Sequence, residues 1–353
     1  MKKNNQWIDS IYRVRGTCPS RLDALRLDKN ERTTKFSKYF LNEIVSKLRD
    51  EHLTAYPETE PLYDQLATHL AVNRGQVVVT AGSDAGIKHC FELTVERNSE
   101  VITLSPTFAM VDIYAQLYGV RQIKIGYNSD LSIQYDKLLD SIVPDTALIV
   151  IANPNSPTGT LISEADMRSI ISKAQENNAV ILVDEAYYGF CKQTVLPLID
   201  EYENLVVART FSKSSGLAGC RVGYLVAQHH LAQRLYRFRP MYEVNAFGVL
   251  VTMTILENQE IVDTYLSDTE DGRAYLKLSL DSLGLTFLDS QTNFIHINFG
   301  SKRNEIEKIL LAHKILVRGG PGVNGYENYL RISLGPIESM KPVVDILNEY
   351  FLS

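Results

Sequence analysis

Short apolar runs, rich in β-branched residues, alternate with stretches of helical periodicity through the middle of the chain. The runs are Val77-Val78-Val79-Thr80, Val101-Ile102-Thr103-Leu104, Ala147-Leu148-Ile149-Val150-Ile151, Val180-Ile181-Leu182-Val183 and Leu205-Val206-Val207. They are apolar at nearly every position. A strand with one wet face alternates apolar and polar residues, whereas a strand covered on both faces does not. The pattern therefore predicts an α/β fold with a mostly parallel central sheet and helices on both faces. Helices are expected between most of the strands. They include 83–96 and 163–177, the latter with Ser163 as N-cap and Asp166 three residues on.

Past Tyr242 the pattern changes. A long helical stretch, 245–283, holds one glycine (Gly272) and no proline. Strand-like segments Phe294-Ile295-His296-Ile297 and Tyr329-Leu330-Arg331-Ile332-Ser333 follow, and a helix is expected from Ile337. This predicts a smaller α+β domain over 246–353 beside a large domain over 51–245. The first 50 residues have no strand-rich core and are expected to pack on the small domain or on a partner subunit. A length of 353 residues suits this two-domain arrangement.

Composition narrows the function classes. Apolar residues make up 45% and charged residues 22%, with a formal charge of -6. An acidic balance argues against a nucleic-acid surface. No apolar run approaches the roughly 20 residues of a membrane span, and the basic start Met1-Lys2-Lys3 has no apolar stretch behind it. The four cysteines, Cys18, Cys90, Cys191 and Cys220, lie far apart with no C-x-x-C pair. Reduced thiols in a cytoplasmic protein are expected. No H-E-x-x-H occurs, His229-His230 reads as a solvated helix start, and no metal site is expected.

Four segments carry candidate chemistry. In Arg209-Thr210-Phe211-Ser212-Lys213-Ser214-Ser215-Gly216, a lysine follows a buried strand, with Arg221 eight residues on. A free lysine titrates at about 10.4, and attack on a carbonyl needs the neutral amine, which desolvation or nearby positive charge supplies. Taken alone, Lys213 is equally readable as a solvated loop residue. Asp184 ends the strand Val180-Val183, at the edge where open α/β sheets bind ligands; it suits a protonated ring nitrogen or a simple cap. Asn153-Pro154-Asn155-Ser156-Pro157-Thr158-Gly159 is a rigid turn after a strand. Thr80-Ala81-Gly82-Ser83-Asp84 joins a strand to a helix whose first amides could bind phosphate.

Together these segments resemble the class I and II aminotransferases, most closely the histidinol-phosphate aminotransferase branch. The resemblance runs from Leu27-Asp28-Lys29-Asn30-Glu31 and Tyr56-Pro57-Glu58 to Leu330-Arg331-Ile332-Ser333-Leu334-Gly335. It implies the fold type I of pyridoxal 5'-phosphate enzymes and reversible ping-pong transamination, with glutamate as the expected donor. Lys213 would be the Schiff-base lysine and proton shuttle. Asp184 would pair with the pyridinium nitrogen, and Tyr187 would donate to the phenolic oxygen, with Asn155 assigned to the same oxygen. Phe108 would stack on the ring. Ser212, Arg221 and the amides of Ser83 and Asp84 would hold the phosphate. Tyr56 would reach the phosphate of a neighbouring subunit, which implies a homodimer. Arg331 would clamp the substrate α-carboxylate, with Asn30 close by. Arg318 would bind a second anionic group on the substrate, unless a protein carboxylate such as Glu31 or Glu243 pairs with it.

The chain departs from the family pattern where substrate would be read. Ser156 stands where a second asparagine is common. Arg32-Thr33-Thr34 replaces a proline-containing turn, Arg15-Gly16-Thr17-Cys18-Pro19-Ser20 replaces a tyrosine-proline segment, and Glu243 stands where asparagine is commoner. Gly319-Gly320-Pro321-Gly322-Val323-Asn324-Gly325 is read as a flexible loop near the site entrance, because it lacks the ending of a phosphate loop. Two rivals share parts of the pattern. A decarboxylase of the threonine-phosphate type uses the same scaffold, and a DNA-binding regulator would need an N-terminal domain for which Leu27-Glu31 leaves no room.

Overall fold

The computed structural model describes Ile11 and residues 20–352, so the expectations for Cys18 and for most of the 15–20 segment lie outside the described residues. The five predicted strands all form, as part of a seven-stranded sheet. In chain order these are β1 (Val77–Thr80), β2 (Glu100–Leu104), β3 (Arg121–Ile125), β4 (Thr146–Ala152), β5 (Val180–Asp184), β6 (Leu205–Thr210) and β7 (Gly223–Ala227). Their spatial order is β1-β7-β6-β5-β4-β2-β3. Pairing is parallel from β6 to β3, and β7 runs antiparallel to both its neighbours. The two strands that the apolar-run pattern misses are informative. β3 is an edge strand with Arg121 and Lys124 exposed, as edges that avoid pairing with other chains are. β7 opens on a glycine directly after the candidate lysine segment.

Helices cover both faces. Among them, α1 (Lys38–Lys47), α2 (Ser83–Thr94) and α3 (Glu164–Glu176) each bury one side. Ser163 caps α3 as expected, its Oγ accepting from the Asp166 amide at 3.1 Å. The expected helix over 245–283 is instead two, α4 (Ala246–Glu257) and α5 (Gln259–Ser282). Asn258 breaks it: its backbone leaves the helical region, and its amide donates to the Thr254 carbonyl and to Glu43. Val249, Val251 and Ile255 of α4 belong to the large-domain core, so we propose that the domain boundary falls after α4, not before it.

The small domain holds a second, antiparallel sheet. It comprises β8 (Phe287–Leu288), β9 (Phe294–Asn298), β10 (Arg318–Gly319) and β11 (Tyr329–Ser333), in the order β10-β11-β9-β8. The closing helix α6 (Ile337–Leu352) packs behind it, and Ile295, Ile297, Leu330, Ile332, Met340 and Leu347 share one core. The N-terminal segment ties the two domains together. Leu25 and Arg26 pair in parallel with Ile315 and Leu316, and Leu27 is fully buried in the small-domain core. Phe40 and Ile44 enter the large-domain core.

Gly272 of α5 is where that helix meets the start of α6. A Cβ there would run into the backbone carbonyl of Gly335. Gly272→Ala should therefore destabilise the protein, although alanine improves helix propensity by about 1 kcal/mol. Overpacking against fixed backbone typically costs about 1–3 kcal/mol. The denaturant midpoint is expected to fall at unchanged slope; an equal or higher midpoint would show that the two helices separate freely.

Candidate active site

The carboxyl edges of β4, β5 and β6 face the small-domain sheet across a cavity of about 950 Å³. Of the site residues expected from the sequence, all but Asn155 and Tyr56 line it. Asp184 is the last residue of β5 and is 6% exposed. Its Oδ1 accepts from the Ala186 amide at 3.1 Å. Burial pushes its carboxyl up to about 7; that hydrogen bond and Lys213 work against the shift, while Asp84 and Glu185 reinforce it. Such a carboxyl needs a cationic partner to stay ionised at low cost.

The neighbouring acid turns away from the cavity. Glu185 accepts from the Val195 amide at 2.7 Å and from Arg209 Nε at 3.0 Å, and Arg209 also lies over the Tyr188 ring. This buried ion pair ties the end of β6 to the residue after β5. The sequence reading did not single it out, although an acid and a base at the ends of two adjacent apolar strands were its signal.

Lys213 follows β6, and its Nζ donates to the Lys29 carbonyl at 2.8 Å. Tyr187 is 5% exposed, and its hydroxyl accepts from Asn30 Nδ2 at 2.7 Å. Asn30 adopts a left-handed backbone (φ 58°), and its amide donates to Ser333 Oγ at 2.9 Å. Three segments distant in the chain are thus joined through Asn30.

At the other end of the cavity, Gly82 (φ 81°) opens α2 at Ser83. A Cβ on Gly82 would lie 2.7 Å from Arg221 Nη2, and one on Gly223 would lie 2.5 Å from the Ser83 nitrogen. Only glycine lets the first amides of the helix and the guanidinium converge. Free amides, a helix N-terminus and an arginine form an anion cradle. Ser212 lies beside it, its Oγ accepting from Thr210 Oγ1 at 2.9 Å. Phe108, 37% exposed, lines the cavity wall.

Asn155 is 1% exposed and stands behind the wall. Its amide donates to the Pro106 carbonyl at 3.1 Å and to Thr158 Oγ1 at 2.8 Å, and its oxygen accepts from Thr107. Its hydrogen bonds hold the turn together, and Pro154, Ser156 and Pro157 are the residues of this turn that line the cavity. Tyr56 is 71% exposed and stacks on Tyr242 with centroids 3.9 Å apart, outside its own chain's cavity. The glycine-rich loop does border the cavity through Gly319, Gly320 and Gly322, and Tyr326 beyond it donates to the Ser129 carbonyl at 2.6 Å.

Arg331 on β11 is 8% exposed. Its Nη2 donates to the Asp28 carbonyl at 2.9 Å, and its Nη1 makes a long contact of 3.5 Å with Ser156 Oγ. Arg318 on β10 stands directly opposite it. Burial holds the Arg331 pKa below its ordinary value, Tyr187 and Asp28 oppose that shift, and the charge of Arg318 adds to it. The carboxylates expected as alternative partners for Arg318 are engaged elsewhere: Glu31 with Arg21 and Arg26, Glu243 with His89 and the Ala81 amide.

Residues 24–347 match the family model of aminotransferase class I and II. The chain belongs to this family. The enzyme is 33% identical to histidinol-phosphate aminotransferase 1 of Carboxydothermus hydrogenoformans over 92% of each chain. It is 31% identical to the histidinol-phosphate aminotransferase of Thermoanaerobacter pseudethanolicus over 93% of each. The Sinorhizobium meliloti histidinol-phosphate aminotransferase, solved in complex with pyridoxal-5'-phosphate, superposes with a TM-score of 0.86 at 23% identity, covering 100% of this chain and 98% of that one. The L-threonine-O-3-phosphate decarboxylase of Porphyromonas gingivalis shares the fold, with a TM-score of 0.77 at 20% identity over 93% and 100% of the two chains.

The enzyme is a pyridoxal-phosphate-dependent aminotransferase of fold type I. Its cavity fits that cofactor: it is lined by a buried carboxyl with no ion-pair partner among the described residues, by an anion cradle, by an amine and by a phenol. Among the described residues, no cluster of side chains suits a metal ion, and no helix is long and apolar enough to cross a membrane.

The shifted carboxyl predicts a pH effect on the cofactor-free protein. Between about 4 and 7 the folded chain keeps a proton on Asp184 that the unfolded chain has released. Stability from this group therefore falls as pH rises through that window, by at most roughly 4 kcal/mol. Asp184→Asn removes the effect. Its thermal midpoint should gain on wild type between pH 5 and pH 8 when both lack cofactor. A gap that stays constant with pH would show that the carboxyl titrates normally.

Proposed function

We propose that the enzyme moves an amino group from glutamate to a phosphorylated or acidic keto compound. Histidinol phosphate, named in its relatives, is the aminated form of one such phosphorylated acceptor. The observation that carries this reading is the pair Arg318 and Arg331, opposite each other on adjacent strands and both facing the cavity. Like charges in such a pair destabilise a sheet, and neither guanidinium has a carboxylate partner among the described residues. An anionic ligand satisfies both.

In this reading Arg331 grips the α-carboxylate and Asn30 steadies the Tyr187 hydroxyl. Asp184 holds the positive charge of the pyridine ring. Bound pyridoxal phosphate supplies the electron sink that makes the substrate α-proton removable. Lys213 Nζ would take that proton from Cα and return it to the cofactor carbon on the far side of the amino nitrogen; water would then release the keto acid, leaving the amino group behind for the second substrate. The decarboxylase alternative has less support, because the likeness to that enzyme is one of fold alone, whereas relatives named as aminotransferases align over nearly the whole chain.

We further place the enzyme in the cytoplasm as a homodimer. Tyr39, Val45, Leu53 and Met241 are each about two-thirds or more exposed, and so is Tyr56, which stacks on Tyr242. A second copy covering this face would carry Tyr56 to the partner's phosphate cradle.

Two predictions follow from these placements. Arg318→Ala should lower kcat/KM for an acidic amino donor about tenfold or more, roughly 1.4 kcal/mol, and leave a neutral donor within about twofold. Equal loss on both, or none, removes the second-anion reading. The dimer is tested by mixing Tyr56→Ala and Lys213→Ala proteins, each of low activity. Random subunit exchange gives mixed dimers with one intact site, and activity should return to about one quarter of wild type. A fully active monomer in sedimentation would contradict composite sites.

A further inference from the structure

The row of basic side chains across the small-domain sheet does not end at the two arginines. His296 on β9 stands directly opposite Arg331 on β11, which stands opposite Arg318 on β10. Residues opposite one another share a face of the sheet, so all three project toward the same side. His296 is 1% exposed. Its Nε2 donates to the Pro157 carbonyl at 2.7 Å, and its Nδ1 is buried without a partner.

The acceptor belongs to the active-site wall. Pro157 and Ser156 both line the cavity, and Ser156 Oγ is the hydroxyl that Arg331 Nη1 approaches. The contacts close a loop from His296 across the strands to Arg331, on to Ser156, along one peptide to Pro157 and back to His296. The turn is pressed against the small domain at its far end too. Gly159 has φ 80°, and a Cβ there would fall 2.6 Å from the Cβ of Ser290.

We infer that His296 is a positioning residue for the substrate: it pins the 153–159 turn of the large domain to the small-domain sheet and so aims Arg331 at the substrate α-carboxylate. This rests on the reading of Arg331 given above.

Imidazole suits the position for a physical reason. A carboxylate opposite Arg331 would pair with it and quench the anion site, and a lysine or arginine would add a third positive charge to the row. A neutral ring supplies one N–H and no charge. Burial pushes the His296 pKa down to about 4; the bond to Pro157 opposes this and the charge of Arg331 reinforces it. At neutral pH the ring is uncharged, with its proton on Nε2 facing the carbonyl. The ring of Phe294 keeps both groups in place, edge-on to His296 at 5.4 Å and 5.2 Å from the Arg331 guanidinium.

The test uses the holoenzyme with His296→Leu, His296→Gln and His296→Glu, and Arg331→Ala as the reference. Calorimetry measures the affinity for succinate, a dicarboxylate with no amine to react; donor KM, kcat and cofactor absorbance are read alongside. His296→Leu should raise the succinate Kd and the donor KM about tenfold, with kcat within about threefold and absorbance unchanged. His296→Gln, whose amide can still donate to Pro157, should stay within about threefold of wild type. His296→Glu should lose succinate at least as severely as His296→Leu, because its carboxylate occupies Arg331. If the leucine protein does not fold, the near-isosteric glutamine and glutamate variants decide between them. Wild-type succinate affinity in His296→Leu or His296→Glu, with affinity lost in Arg331→Ala, overturns the role of His296 and leaves Arg331 standing. A lowered thermal midpoint with Kd and KM unmoved also overturns it, since that is a purely structural role. Wild-type affinity in Arg331→Ala would instead remove the reading on which the inference rests.

Discussion

Burying a carboxyl at the end of a central strand raises the free energy of its charged form, and the active site is organised around that cost. Asp184 has one backbone donor and no ion pair among the described residues, and the charge of Lys213 only partly offsets its burial. In the proposed reading a protonated ring nitrogen would return what desolvation removes, which would make cofactor binding and ionisation of Asp184 one coupled event. The adjacent acid shows the contrast. Glu185 is equally buried but is paired with Arg209 and capped by the Val195 amide, so it serves the scaffold. Two consecutive carboxylates, the last residue of β5 and the one after it, thus acquire different tasks, because one lines the cavity and the other turns into the pair with Arg209.

From this fixed point the site extends in two directions. Toward the large domain lie the Gly82 turn and the start of α2, where backbone amides and Arg221 can meet only because Gly82 and Gly223 lack a side chain. Toward the small domain lies the antiparallel sheet with its row of His296, Arg331 and Arg318. The cofactor end is built from the parallel sheet and its turns. In the proposed reading the substrate end would be built from a different domain, joined to the first by the 25–44 segment, by Asn30 and by the contacts of the 153–159 turn, so that substrate preference could change there without disturbing the cofactor end.

That division explains which residues were legible from the chain alone. Lys213, Asp184, Tyr187 and the 80–84 junction lie on or beside apolar runs whose ends are visible in the sequence, and the structure brings all of them to one cavity. Asn155 was assigned to the ring oxygen by the family resemblance. Only the folded turn shows its amide spent on Pro106 and Thr158, with Ser156 facing inward. His296 could not be weighted from the sequence, because its importance lies in a partner 139 positions away, and the pair Glu185 and Arg209 left only the faint signal of an acid and a base at the ends of adjacent strands.

The sequence by itself determined the parallel core, its alternation with helices and the chemistry at the strand ends, since those depend on local periodicity and on residue type. It also determined that a smaller α+β unit follows, but not where that unit begins. Asn258 divides the helical stretch through side-chain bonds to Thr254 and Glu43, the latter more than 200 residues away. Tertiary structure alone decided that Arg318 and Arg331 face each other, that Glu31 and Glu243 are committed elsewhere, and that His296 completes the row. Strand register decides such pairings: a shift of one residue would turn every side chain to the opposite face. Register follows from packing across the whole domain, which no local pattern of apolar positions contains.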